Sequence, residues 1–208
     1  MTTTQIFSTN IYKSKFENFN LIKDSIKKSL LPHFENLSRN DNYFSDEEER
    51  PLSRTLTFNL HKDENLKPVV DYINSCAQEF WKDNNYTKNV IPGITQMWAI
   101  LTKPGGFTPP HTHNPYPISG SFYVDAPENA GGLYLDNPLE PLLGKMPYEM
   151  QWGPTLMFSE LVDVEDGSII MFPGWVKHYS QPNLSNKERV VIAFNFGVDE
   201  YFSKEDNS

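Results

Sequence analysis

The 208-residue chain has a single cysteine, Cys76. An internal disulfide is therefore excluded, and a reducing compartment is expected. Positive charge is also scarce: 18 Lys and Arg stand against 27 Asp and Glu, a formal net charge of −9. A nonspecific grip on nucleic acid needs a basic face, so no nucleic-acid partner is expected. No stretch approaches the roughly 20 apolar residues that span a bilayer. The opening "MTTTQIFSTNIYKSKF" has no apolar core of signal-peptide type. The expected setting is thus cytoplasmic, with no membrane partner. Internal repeats and low-complexity tracts are absent too, and the length suits one domain over 1–208.

Turns and aromatics are plentiful. Sixteen Pro and eleven Gly punctuate the chain, and aromatics make up 13% of it. Residues 5–12 read as a short strand. Residues 17–34 show helical spacing, with Phe19, Leu21, Ile22, Ile26 and Leu30 or Leu31 on one broad stripe. The acidic run Asp46 to Glu49 reads as a solvated loop. A second helix is predicted over 63–83, its apolar face made by Leu66, Val69, Val70, Tyr72, Ile73 and Phe80, with Cys76 packed there as a small hydrophobe. This lead-in, residues 1–93, has too little to pack against by itself. From residue 94 to 200 the pattern turns strand-like, in eight short runs: "ITQMWAILTK", "HTH", "ISGSFYVD", "GGLYLDNP", "PTLMFSE", "GSIIMFP", "VKHYSQP" and "ERVVIAFNFGV". Regular short strands between Gly, Pro and Asn turns predict a mainly β fold with N-terminal helices, a jelly roll or double-stranded β-helix.

On that frame three histidines stand out. His111 and His113 form an H-x-H pair that, as a strand, puts both imidazoles on one face. The pair alone decides little. His178, however, falls on strand seven, and strands two and seven of a jelly roll lie side by side at one mouth. The three are therefore predicted to share a metal. Three protein ligands leave positions open, which favours catalysis over a closed structural site, and imidazole alone does not choose among Fe, Zn, Cu and Ni. His33 and His61 lie in the lead-in and read as ordinary packing or surface histidines.

Arg189 follows His178 by 11 residues and opens an apolar strand on which Val191, Ala193 and Asn195 share its face. A charged group on a doubly buried strand needs a partner, and a bidentate carboxylate is the natural one. Ser119, Ser121 and Tyr123 share a face of their own strand, from which Tyr123 could hydrogen-bond a bound carboxylate. Trp98 and Trp175 bracket the site in sequence as core or wall aromatics.

At these residues the chain resembles the 2-oxoglutarate and Fe(II)-dependent oxygenases, and among them a group of small members of unassigned substrate. The resemblance rests on "QIFSTNIYKSKF", "MWAILTKPGG", "HTHNPYPISGSFYV", "FPGWVKH" and "RVVIAFN". It implies Fe(II) as the metal and 2-oxoglutarate as cosubstrate. The ligands it implies are His111, His113 and His178. It makes Arg189 the 2-oxoglutarate anchor, and Tyr123 and Asn195, from their strand faces, are expected as further cosubstrate contacts. The implied reaction is hydroxylation of a substrate C–H bond with release of succinate and CO2. The superfamily usually has Asp or Glu where this chain has His113, and often Ser or Thr where it has Val191. Asp125 and Asp136 are carboxylates that could enter the metal shell. A strongly acidic substrate is not expected unless Lys177, Lys187 and Arg189 form a basic patch. The substrate, small molecule or peptide, is open, as is the oligomeric state, a homodimer included. Two other readings share the fold: a cupin-like three-His metalloenzyme that does not use 2-oxoglutarate, and a jelly-roll binding module without catalysis.

Overall fold

The computed structural model describes residues 8–35, 52–55, 57–84, 86, 92–139 and 158–197. Among these residues nine strands form two sheets. One has six strands in the order β1 (Tyr12–Lys15), β7 (Ser168–Phe172), β4 (Ile118–Asp125), β9 (Arg189–Gly197), β3 (Gly93–Thr102) and β2 (Leu52–Arg54). The other has three, in the order β6 (Ser159–Val162), β5 (Leu133–Asp136) and β8 (His178–Ser180). Every named strand pairing is antiparallel. Two facing sheets built this way make the double-stranded β-helix expected from the sequence. Among the described residues no helix is long and apolar enough to cross a membrane.

Alternation along the central strands sorts side chains into two cores. All nine residues of β9 are buried. Val190, Ile192, Phe194 and Phe196 face the helices, with Phe122 and Val124 of β4 and Ile169 and Met171 of β7. Val191 faces the smaller sheet, with Tyr123, Leu133, Leu135, Ile170 and Phe172. The odd-numbered face of β9 is therefore the one that lines the space between the sheets.

The helices cover the outer face of the large sheet. Helix α2 (Lys67–Asp83) buries Val69, Ile73, Cys76, Ala77 and Phe80, spacings that fall on one stripe of a 3.6-residue helix. Removing the Phe80 ring, 1% exposed, would cost about 3–5 kcal/mol. Helix α1 (Lys23–Glu35) is tied to the sheet by ions: Lys23 Nζ lies 2.7 Å from Asp125 and 2.6 Å from Asp166, and Lys27 also pairs with Asp125. Burial opposes the charge on Lys23, but the two carboxylates outweigh it and hold its pKa above the ordinary value.

Several sequence expectations shift here. The first strand is Tyr12–Lys15, where four residues register against β7 from Tyr12↔Met171 to Lys15↔Ser168; residues 8–11 are not strand, and 5–7 lie outside the described residues. The first helix starts at Lys23 after a 3-10 turn at Phe19–Leu21. Its apolar stripe is narrower than the spacing suggested: Ile26 and Leu30 are buried, whereas Leu21 and Leu31 are exposed. The second helix begins four residues late because two 3-10 turns, Leu60–Lys62 and Glu64–Leu66, precede it. The acidic run Asp46 to Glu49 and most of "PTLMFSE" lie outside the described residues. The "HTH" strand does not form: His111 makes one isolated antiparallel bridge to His178, and His113 sits beyond it in a turn.

Candidate metal centre

The backbone brings His111 and His178 together first. Each N–H donates to the other's carbonyl oxygen at 3.0 Å. His113 arrives by another route. Its N–H donates to Gly174 O at 2.7 Å, and Gly174 N–H donates to Tyr116 O at 3.2 Å. The "FPGW" turn thus clamps the loop that carries His113. Only glycine permits this approach, since a Cβ at 174 would stand 2.3 Å from Tyr116 O and 2.7 Å from His113 O.

The three imidazoles offer ligand atoms that all lie within 4.8 Å of one another. Their ring centroids are 4.3 to 5.0 Å apart. His111 Nδ1 lies 2.8 Å from Pro109 O, and His178 Nδ1 lies 2.9 Å from Val176 O. A carbonyl oxygen can only accept, so each Nδ1 carries the proton and donates. That fixes the tautomer and leaves Nε2 with a free lone pair, the arrangement usual for ligating histidines. Burial lowers the pKa of His113 to about 4, assisted by His111. Burial also lowers that of His178 to about 3; the His178–Val176 bond opposes this, while His111 and His113 add to it. Both rings are therefore neutral near pH 7, the form in which an imidazole can ligate a metal.

No carboxylate joins them. Among the described residues the cluster contains only the three histidines. Asp125 is held by Lys23 and Lys27, and Asp136 by Lys177 at 2.8 Å. Neither carboxylate considered from the sequence completes the metal shell. Three neutral nitrogens with open positions fit a divalent first-row metal, and a metal there would keep its full double charge for an anionic ligand.

Such a ligand has a place to go. A cavity of about 380 Å³ between the sheets is lined by all three histidines and by Trp98, Tyr123, Ser180 and Arg189. Arg189 is 2% exposed, yet no carboxylate pairs with it among the described residues. Its Nη1 donates to the carbonyls of Ala130, Gly131 and Gln181, and its Nη2 donates to Ser180 Oγ at 2.8 Å. These acceptors hold the guanidinium without neutralising it. Burial lowers its pKa, with Tyr123 opposing the shift, and an arginine remains cationic near neutrality. Burial pushes the Tyr123 phenol up to about 12 against the pull of Arg189, so it remains a neutral donor.

The structure therefore brings together His111, His113, His178, Arg189 and Tyr123. Asn195 is not among them. Its amide is used at the end of the barrel, donating to Gln96 Oε1 at 3.0 Å and accepting from Ser119 Oγ at 2.7 Å. Trp98 lines the cavity, with its ring centroid 5.6 Å from that of His113. Trp175 is 45% exposed and does not line it. His33 pairs with Asp63, and Cys76 is buried on the inner face of α2. Lys177 and Lys187 do not line the cavity either, so the basic patch considered around Arg189 does not form there.

Ser180 is the site residue that sequence reasoning missed. Its Oγ accepts from Arg189 and from Thr108 N–H, both at 2.8 Å, which leaves its own proton to donate into the cavity. The signal was present: Ser180 lies two residues after His178 on the same strand, hence on the same face.

Comparison with known proteins agrees with this geometry. No curated protein matches the sequence. Among solved structures, the carbocyclase SnoK of nogalamycin biosynthesis, a non-haem α-ketoglutarate-dependent enzyme, superposes with a TM-score of 0.64 at 11% identity, over 90% of this chain and 79% of that one. The Trichoplax adhaerens prolyl hydroxylase, solved with a hypoxia-inducible-factor peptide, gives 0.58 at 13% identity over 97% and 88%. Streptomyces hygroscopicus HygX, solved with nickel, 2-oxoglutarate and hygromycin B, gives 0.58 at 13% over 91% and 83%. At such identities these likenesses concern the fold. The family described as "Putative 2OG-Fe(II) oxygenase" matches residues 96–195, a span that holds the three imidazoles, Tyr123, Ser180 and Arg189. Over that stretch the chain is similar to the 2OG-Fe(II) oxygenases, a family named for its metal, Fe(II), and its cosubstrate, 2-oxoglutarate.

Proposed function

We propose that this protein hydroxylates a C–H bond of an organic substrate, converting 2-oxoglutarate and O2 to succinate and CO2. The observation that carries the reading is the single cavity shared by three metal-ligating imidazoles and a buried guanidinium without a carboxylate. His111, His113 and His178 would hold Fe(II), and the iron with its cosubstrate supplies the oxidising chemistry. The chain's residues do the rest. Arg189 supplies charge for the distal carboxylate of 2-oxoglutarate, and Ser180 and Tyr123 offer hydroxyl donors beside it. The carbonyls of Ala130, Gly131 and Gln181 orient the guanidinium before the anion arrives. The apolar walls, Ile100, Leu133 and Val191, exclude water from the reacting centre.

The all-imidazole ligand set gives the cupin-like reading some weight, because it lacks the carboxylate usual in the superfamily. Arg189 distinguishes the two, since only the oxygenase needs it to hold a dicarboxylate. The test is 2-oxoglutarate conversion by the iron-loaded protein in air, followed as succinate by mass spectrometry. Succinate should form only with Fe(II), and its formation should be lost in His178→Ala. An iron-loaded protein that neither binds nor decarboxylates 2-oxoglutarate would overturn the proposal.

A further inference from the structure

The strand registers arrange the inner face of the large sheet in rows, of which the first three line the cavity. Arg189 stands opposite Thr102; Val191 lies between Ile100 and Tyr123; Ala193 lies between Trp98 and Ser121; Asn195 lies between Gln96 and Ser119. Successive rows are two residues apart, about 6.8 Å along the strand. A five-carbon dicarboxylate has four C–C bonds of about 1.5 Å and spans roughly 5 Å between its carboxyl carbons. Anchored on Arg189, it occupies the first two rows and leaves the Ala193 row free. That row is the one beside His113, whose ring adjoins Trp98.

We infer, on the basis of the oxygenase reading, that the Trp98–Ala193–Ser121 row receives the substrate, and that it takes an uncharged, saturated ring or branched alkyl group carrying one hydrogen-bonding function. Shape is the first argument. Trp98 forms a wall fixed edge-on by Phe58, with centroids 5.4 Å apart at 63°, while Ala193 ends at its Cβ and leaves a trough between Trp98 and Ser121. Charge is the second. Arg189 is the only Lys, Arg, Asp or Glu among the described residues that line the cavity, and the cosubstrate uses it. A carboxylate or ammonium in the trough would lose its water without gaining a partner. The third is Ser121. It lines the cavity and its hydroxyl makes no hydrogen bond to another described residue, so one hydroxyl is free to meet one polar group on the substrate.

Three isosteric probes test this on the anaerobic Fe(II)–2-oxoglutarate protein by titration calorimetry: cyclohexanecarboxamide, cyclohexanecarboxylate and cyclohexylmethylammonium. The amide should bind at least about 10-fold more tightly than either ion. Ala193→Leu should fill the trough and abolish amide binding, with 2-oxoglutarate affinity and thermal unfolding unchanged. Ser121→Ala should weaken the amide by about 2- to 10-fold, the loss of one hydrogen bond. Equal binding of an ion, no binding of the amide, or indifference to Ala193→Leu would overturn the inference. The 2-oxoglutarate titration run beforehand keeps the two proposals apart: if 2-oxoglutarate itself does not bind, it is the oxygenase reading that has failed.

Discussion

Arg189→Ala is the most discriminating substitution. The guanidinium is buried on the central strand β9 and donates to four oxygens, those of Ala130, Gly131, Gln181 and Ser180. Truncating one partner of a buried, hydrogen-bonded charge pair costs about 2–5 kcal/mol, so 2-oxoglutarate should bind about 30-fold more weakly or worse. Iron affinity should change little, because an arginine has no lone pair to give a metal. The substitution also takes the Arg189 donor from the carbonyls of Ala130, Gly131 and Gln181, whereas Ser180 Oγ keeps Thr108 N–H. Each buried acceptor so stranded costs about 1–3 kcal/mol, although water entering the vacated space offsets part of that. The variant should therefore unfold at a lower temperature, and Arg189→Lys, which keeps the charge but not the fork, controls for this. Binding is read by anaerobic titration of each variant with Fe(II) and then with 2-oxoglutarate. Lysine should fall between alanine and wild type. Equal loss of iron and 2-oxoglutarate would make Arg189 a structural residue. Unchanged 2-oxoglutarate affinity would remove the cosubstrate assignment and favour a three-His enzyme that works without it.

Further outcomes follow from the same geometry. Gly174→Ala should push the His113 loop away and weaken Fe(II) binding by about 10- to 100-fold, as the loss of a supporting contact to a ligand does; unchanged metal affinity would show that the clamp is dispensable. His113→Asp should retain Fe(II), because it restores the carboxylate usual in the superfamily; a folded variant with no iron binding would count against the kinship of the two sites. The metal-free protein should lose stability as pH falls from 6.5. His113 and His178 have folded pKa values of about 4 and about 3 against 6.5 unfolded, so over that window the unfolded chain binds more protons. The stability these neutral rings confer is complete above 6.5 and is lost as pH falls toward their folded values. Denaturant titrations from pH 7 to 4.5 should show unfolding coupled to uptake of about two protons, and a flat profile would contradict the burial of these rings.

Much of the site was legible because its residues lie on regular strands. Period-two alternation correctly placed Arg189, Val191 and Ala193 on one face of β9, with Tyr123 facing them from β4. The same alternation failed at Asn195. A shared face does not ensure a shared cavity, and the barrel end places Gln96 and Ser119 within reach of that amide. His113 does lie with His111 and His178, but not by the local route the sequence suggested. No strand carries it; a loop clamped to Gly174 does, and such long-range backbone contacts leave no periodic trace. The strand β2 was missed for a related reason. It is three residues long and exists because β3 offers an edge, with Leu52 set against Thr102. The helices were legible in kind but not at their starts, where 3-10 turns interrupt the 3.6-residue pattern.

In the proposed enzyme one cavity holds Fe(II) on three histidines and 2-oxoglutarate against Arg189. This arrangement is tested most directly by an anaerobic titration of the protein with Fe(II), with and without 2-oxoglutarate, followed in the visible. A weak metal-to-ligand charge-transfer band should appear only when both are present, and it should vanish in His178→Ala and require far more 2-oxoglutarate in Arg189→Ala. An iron-loaded protein that shows no such band at saturating 2-oxoglutarate would contradict the account.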